Sequence, residues 1–361
     1  MPAPRYTGTL MPRPKNKSKQ SKVKSLTVRI LPVFILFGAL GAGLFSLPLL
    51  LGETALWGQG TQVADVEPSY NSFPVTVDPE NKTITQDPRV EKLLATRPSN
   101  LGASVGVLGM VAIELASQIA NLPGYQLIAS AVGINNLYVV IHPGSRTEQV
   151  ANSFGSALSW TTSDKTAFST SLRKLHPTLQ EGSVVPGIYF ASVSNPHDVA
   201  TLVDTRFQEQ IVSKYSSTTA EQVPLKDALT IASLLEREAG GWDDMRLISG
   251  VIWNRLFIGM KLQIDATLQY AEANGAKGKT GWWPSVEPKD KYIKSAYNTY
   301  QNAGLPPGPI ANPSVAAVLA ALNPKKTSCL FYFHDANGVF HCSVTYEEHV
   351  KMLKQYYGQG R

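Results

Sequence analysis

Two glutamates two positions apart, Glu236 and Glu238, close the apolar run Ile231-Ala-Ser-Leu-Leu-Glu-Arg-Glu. A carboxyl held among apolar side chains keeps its proton, because burial disfavours the charged form, and such a group is suited to donate it. Downstream come Asn254-Arg255-Leu256, Leu262-Gln263-Ile264-Asp265-Ala266-Thr267, Tyr297-Asn298-Thr299-Tyr300 and Gly304-Leu-Pro-Pro-Gly-Pro-Ile310. Acidic, amide, hydroxyl and aromatic side chains recur there among apolar ones, the mixture that orients and stacks a polar, uncharged polymer such as a glycan. In a carbohydrate-processing cleft, Asn254, Gln263, Asp265 and Thr267 would meet hydroxyl and N-acetyl groups. Tyr297 and Tyr300, with Asn298 between them, would offer apolar surfaces with polar ends. Each also has a structural alternative: Asn254 capping a helix, Gln263 and Thr267 satisfying backbone, and both tyrosines in the core.

At about 100° per residue, Leu225, Ala228, Leu229, Ala232, Leu235 and Ala239 form one stripe of a helix, and Glu236 falls inside it. Glu238 lies about two-fifths of a turn away. The two carboxyls therefore point to nearly opposite sides and are not a pair working on one sugar bond. Only one is the catalyst, and periodicity alone nominates Glu236.

In order and spacing, Ser233-Leu-Leu-Glu-Arg-Glu238, Asn254-Arg-Leu with Gly259-Met260 and Leu262-Gln263, Tyr297-Asn-Thr-Tyr and Gly304 to Ile310 resemble the catalytic region of the YceG-like (MltG-type) endolytic murein transglycosylases. The likeness runs clearly from Leu225 to His349 and faintly from Val139 to Thr219. It implies that Glu238, matching the second glutamate of the family's Glu-x-Glu, is the catalytic residue. Glu236 is left a supporting role, pairing with a buried arginine such as Arg255. It also implies a reaction. Glu238 would protonate the oxygen leaving toward N-acetylglucosamine, then take the proton of the muramic acid C6 hydroxyl as that hydroxyl closes a 1,6-anhydro ring. No cofactor is implied, and the six histidines show no metal-ligand spacing. Peptidoglycan strands are the implied substrate, and a peptidoglycan synthase or other elongation protein the implied partner. Two other readings stay open: a hydrolytic muramidase with Asp265 as second carboxylate, and a non-catalytic, membrane-anchored glycan-binding scaffold.

The elements that must position these residues follow from the rest of the chain. Its 361 residues, 43% hydrophobic and 17% charged, supply two ordinary globular domains. The formal charge of +6 belongs to one end: eight of the 33 basic side chains lie in residues 1–29 with no acidic one, leaving 25 basic against 27 acidic. That tail reads as disordered and cytoplasmic, its basicity serving topology and anionic lipid, not nucleic acid. Residues 30–51 are uncharged and apolar, long enough for a bilayer that takes about 20 residues to cross. A cleaved signal peptide is the alternative; length and the Pro48-Leu-Leu-Leu-Gly52 context favour a retained anchor in the plasma (inner) membrane, with the body outside the cytoplasm.

Residues 52–136 read as a stalk and a poorly assigned helical region, with a short strand at Pro74–Asp78. Leu101–Leu122 reads as a soluble or interfacial helix, since Glu114 inside a membrane span is costly. Residues 137–219 alternate strand and helix: Leu137–Ile141 as a strand, His142-Pro-Gly144 as a turn, and Arg146–Leu158 as an amphipathic helix capped by Ser145. The family likeness makes this a small LysM-like α+β module, with Glu181-Gly182 and Pro186-Gly187-Ile-Tyr189 similar to the family's Glu-Gly…Pro-Asp-Thr-Tyr turn. Residues 220–361 complete a mixed α/β catalytic domain. The expected fold class is therefore α+β: an N-terminal transmembrane helix, the LysM-like module and the catalytic domain.

Within that domain Trp282-Trp283 reads as a stacking rim or a hydrophobic plug. The prolines of Gly304–Ile310 read as a rigid groove wall, and Asn312-Pro313-Ser314 as a helix start. Leu330–His334 and Val339–Ser343 read as a hairpin through Asn337-Gly338. Its register keeps Cys329 and Cys342 apart or only diagonal, which favours free thiols over a disulfide. His341 reads as a solvated strand histidine.

Overall fold

The computed structural model of the chain describes residues 72–95, 137–191, 194–275 and 281–358. The expected basic tail, the 30–51 anchor and most of 52–136, including the Leu101–Leu122 helix, lie outside the described residues. Among the described residues no helix is long and apolar enough to cross a membrane.

The architecture is α+β, with helices around three small antiparallel pairs of strands. β1 (Val77–Asp78), β2 (Thr83–Ile84) and α1 (Pro88–Ala95) come first. Then follow β3 (Leu137–Ile141), α2 (Thr147–Leu158), α3 (Thr162–Leu175), β4 (Gly187–Ala191) and α4 (Pro196–Gln210). β3 and β4 pair with Val139 opposite Tyr189. Their inner faces and the helices bury one core, in which Phe154, Trp160, Phe168 and Tyr189 pack ring against ring.

After the short α5 (Ser217–Gln222), a second, larger core is built by α6 (Leu225–Glu238), α7 (Trp242–Phe257), α8 (Asp265–Ala273) and α9 (Val315–Leu322). α9, Val-Ala-Ala-Val-Leu-Ala-Ala-Leu, is apolar all round, the pattern of a helix enclosed on every side. All but its first residue are buried, and it packs against both α6 and α7. Ser314 caps it, its Oγ accepting from Ala317 N–H at 3.1 Å, as the Asn-Pro-Ser start predicts. α6 begins after Pro224 and stops at Glu238, where Ala239 turns extended before Gly240-Gly241. The hairpin β5 (Phe331–His334) and β6 (Phe340–Ser343) and the helix α10 (Tyr346–Tyr357) close the domain.

Several expectations change. Residues 72–95 are not a stalk: Phe73, Val77, Ile84 and Leu94 enter the larger core, and Arg246 Nη1 donates to Glu91 Oε2 at 2.9 Å. α2 starts one residue later than expected, because Ser145 bridges to Asn312 and Arg146 takes the cap position. Cys329 and Cys342 are bonded, with their Cα atoms 5.8 Å apart, inside the usual disulfide range. The hairpin loop is five residues long, since Asp335 Oδ1 accepts from the N–H groups of both Asn337 and Val339. Cys329 lies before the strand, held by Asn254 Nδ2 on its carbonyl, and this bend brings the sulfurs together. His341 is not solvated; it is half-buried, stacked on Phe333 and 3.0 Å from Asp335.

Candidate active site

The last residue of α6 meets the first turn of α8 and the inner face of β5. Glu238 Oε2 accepts from Tyr332 Oη–H at 2.9 Å, and the Ala266 backbone N–H at the start of α8 also donates to this carboxyl. Burial pushes the Glu238 carboxyl above its ordinary 4.5; the Tyr332 hydrogen bond opposes the rise, and the nearby Asp265 charge adds to it. Glu238 nevertheless remains partly exposed, and its neighbours Asp265 and Gln263 are exposed. A carboxyl of this kind keeps its proton to higher pH than an ordinary glutamate and stays partly open to solvent.

Asp265 is oriented by Tyr300, whose Oη–H donates to Oδ1 at 2.6 Å. Arg255 is close enough that its charge acts on Tyr332 and Tyr300, and the Glu238 charge acts on Arg255 in turn. Gln263 adopts φ 51°, a left-handed conformation uncommon outside glycine; its N–H donates to Thr299 O at 3.2 Å. Glu238, Asp265, Tyr300 and Arg255 are thus brought together, with Gln263 exposed two residues before Asp265.

Other expected residues are not. Asn254 faces away, its Nδ2 donating to Thr327 O at 2.8 Å and Cys329 O at 3.1 Å. Thr267 is wholly buried, its hydroxyl donating to Ile264 O at 2.6 Å. Asn298 is equally buried and ties down Lys291 O and Ile293 O. Tyr297 packs on Tyr270, ring centroids 4.7 Å apart. These side chains build the walls.

Glu236 leaves the helix toward α9. Its Oε1 accepts from Ser314 N–H at 2.8 Å, at the helix N-terminus where a carboxyl is favoured. Burial raises its proton affinity too, opposed by hydrogen bonds from the side chain and backbone of Ser314. The expected pairing with Arg255 gives way to another arrangement: Arg255 Nε donates to Leu330 O at 2.6 Å and Nη1 to Leu262 O.

Two site residues were missed from sequence: Tyr332, and His334, which lies 3.2 Å from Asp244 and whose charge acts on Glu238. The signal was strand alternation. Phe331 and Phe333 face α10 through Tyr346, His349 and Tyr356, so Tyr332 and His334 share the opposite face.

On the other side of α6, Ser233 Oγ accepts from Ile310 N–H at 3.0 Å and pins the Gly304–Ile310 wall. Beyond it the first module docks. Glu181 Oε2 accepts from Thr147 N–H and Oγ1–H, both at 2.7 Å, and from Asn312 Nδ2 at 3.3 Å. Asn312 Oδ1 accepts from Gly182 and Val184 N–H at 2.9 and 3.0 Å. Burial raises the Glu181 carboxyl to about 8. Trp282 is exposed while Trp283 packs partly buried on the larger core; the Arg237 guanidinium lies 4.1 Å from the Trp283 ring centroid, and that of Arg146 5.5 Å from Trp282. Among the described residues no group of His, Cys, Asp and Glu is arranged to hold a metal ion.

The chain matches the model of the YceG-like family over residues 111–355. It is similar to the endolytic murein transglycosylase of Bacillus subtilis (strain 168), 42% identical over 135 residues, 37% of this chain and 36% of that protein. It is 31% identical over 183 residues to the endolytic murein transglycosylase of Streptococcus pneumoniae (strain D39), 49% of this chain and 32% of that one. The matched part thus spans about a third of the length of these curated relatives. The crystal structure of a YceG-like protein from Listeria monocytogenes shares the fold, with TM-score 0.51 and 24% identity over 78% of this chain and 97% of that one.

Proposed function

The chain belongs to the YceG-like family, and from that premise we propose that it is an endolytic lytic transglycosylase of peptidoglycan, with Glu238 as its acid and then its base. One observation carries the reading. A desolvated, partly exposed carboxyl at the end of α6 stands beside Asp265, Gln263 and Tyr300, residues suited to a sugar. Protonated Glu238 donates to the glycosidic oxygen between N-acetylmuramic acid and N-acetylglucosamine. The resulting carboxylate takes the proton of the muramic C6 hydroxyl, whose oxygen bonds the anomeric carbon and closes the 1,6-anhydro ring. Tyr332 and the Ala266 N–H steady the carboxylate between the two steps. The Arg255 charge favours it.

The names of the relatives support murein as substrate. The 30–51 segment fits a plasma-membrane anchor with the catalytic domain on the extracytoplasmic side, where new strands emerge and a peptidoglycan synthase would be the neighbour. In the same scheme the 137–219 module is LysM-like and docks on the catalytic domain through Glu181 and Asn312.

A second reading is favoured by Asp265, an exposed carboxylate whose charge acts on Glu238. It would activate water and give hydrolysis. Mass spectrometry of murein digested by the full chain separates the two: anhydro ends support the transglycosylase, and ends heavier by one water support the muramidase.

A further inference from the structure

A groove of about 450 Å³ opens between residues 292–296 and Gln301–Asn302, a volume typical of small-molecule and saccharide sites. Tyr292 stands on its rim, 78% exposed, and Lys294 beside it is exposed as well. Tyr292 thus presents a broad apolar ring face with a polar end, the kind of surface a sugar ring can cover. The groove is preformed: Gln301 Nε2 donates to Lys291 O at 2.7 Å, Asn302 Nδ2 to Ser295 O at 2.9 Å, and buried Asn298 to Ile293 O at 2.8 Å. Little ordering would remain to be done on binding.

The groove shares its 291–302 turn with Tyr300 of the candidate site. Gln301 and Asn302 follow Tyr300 directly, Tyr300 holds Asp265, and the Lys291 ammonium lies 5.0 Å from the Tyr300 ring centroid. Asp265 precedes Ala266, whose N–H donates to Glu238. An enzyme that cuts within a strand must hold several sugars beyond the broken bond, and this turn carries the surface onward.

We infer that the groove is an outer subsite for the glycan strand. Tyr292 stacks on the apolar face of a sugar ring. Ser295 and the amide oxygens of Gln301 and Asn302 meet hydroxyl and N-acetyl groups, and Lys294 faces the carboxylates that muramic residues and their peptides bear. The inference rests on the reading of Glu238 as a glycan-cutting acid.

The test uses the full-length chain carrying Glu238→Gln, which binds without cutting, and compares its Kd for long murein glycan strands and for a tetrasaccharide. Adding Tyr292→Ala and Lys294→Ala should weaken the long strands about 10-fold and the tetrasaccharide less than about twofold. Unchanged affinity for long strands, or an equal loss for both ligands, overturns the subsite. Cleavage of murein by the unsubstituted chain but not by Glu238→Gln upholds the Glu238 reading separately; cleavage that Glu238→Gln leaves intact would remove both.

Discussion

At the junction of the two modules, Glu181 is 2% exposed and its carboxyl is enclosed by Thr147 and Asn312. At the end of α6, Glu238 accepts from Tyr332 and Ala266 yet keeps open surface beside exposed Asp265. Burial raises both carboxyls, so proton affinity does not separate a structural acid from a catalytic one. Access and neighbours do: one group ties backbone together, and the other is partly exposed beside a second, exposed carboxylate.

The strongest way to break this comparison is to neutralise each acid. Glu238→Gln should lower murein cleavage about 10³-fold with little change in Tm, whereas Glu181→Gln should keep the rate within about threefold. Equal losses in a turnover assay would erase the distinction.

The hairpin that supplies Tyr332 gives the next largest effect. Cys329 and Cys342 are 13 residues apart, and closing a loop of that size contributes about 3 kcal/mol. Replacing both by serine should lower stability by about that much in a denaturant titration, and reduce activity by loosening β5.

At the junction, Glu181→Ala strands the Thr147 N–H, while Asn312 Nδ2 keeps Ser145 O, costing about 2 kcal/mol. The pH dependence has a defined sign. Between 4.5 and about 8 the unfolded chain releases the Glu181 proton while the native chain keeps it. Stability therefore falls as pH rises through that window and levels off above it. Chemical denaturation across the range should show the slope, and Glu181→Gln should flatten it.

The smallest effect belongs to Gln263. A left-handed non-glycine conformation costs roughly 1 kcal/mol, and the backbone entropy of glycine offsets most of the relief. Gln263→Gly should keep stability within about 0.5 kcal/mol while lowering the cleavage rate about threefold, if its amide meets the sugar.

Much of this was legible in the sequence. The stripe on α6 separated Glu236 from Glu238, and the Asn-Pro-Ser helix start appears where expected. What misled were polar residues in turns. Thr267 and Asn298 looked like sugar ligands, but short hydroxyl and amide side chains satisfy nearby backbone first, and both are buried in that task. The disulfide was hidden because Asp335 widens the loop and Cys329 leaves the strand line, neither of which an Asn-Gly turn signal contains. Tyr332 and His334 were readable from strand alternation alone.

The proton on Glu238 is tested most directly by the pH dependence of kcat/KM, which reports the ionisation of the free enzyme's essential acid. An alkaline limb with its midpoint above 4.5 is predicted, moving to higher pH in Tyr332→Phe, because the lost hydrogen bond had favoured the carboxylate. A limb at or below 4.5, or one that Tyr332→Phe leaves in place, would contradict the assignment of Glu238 as the proton carrier.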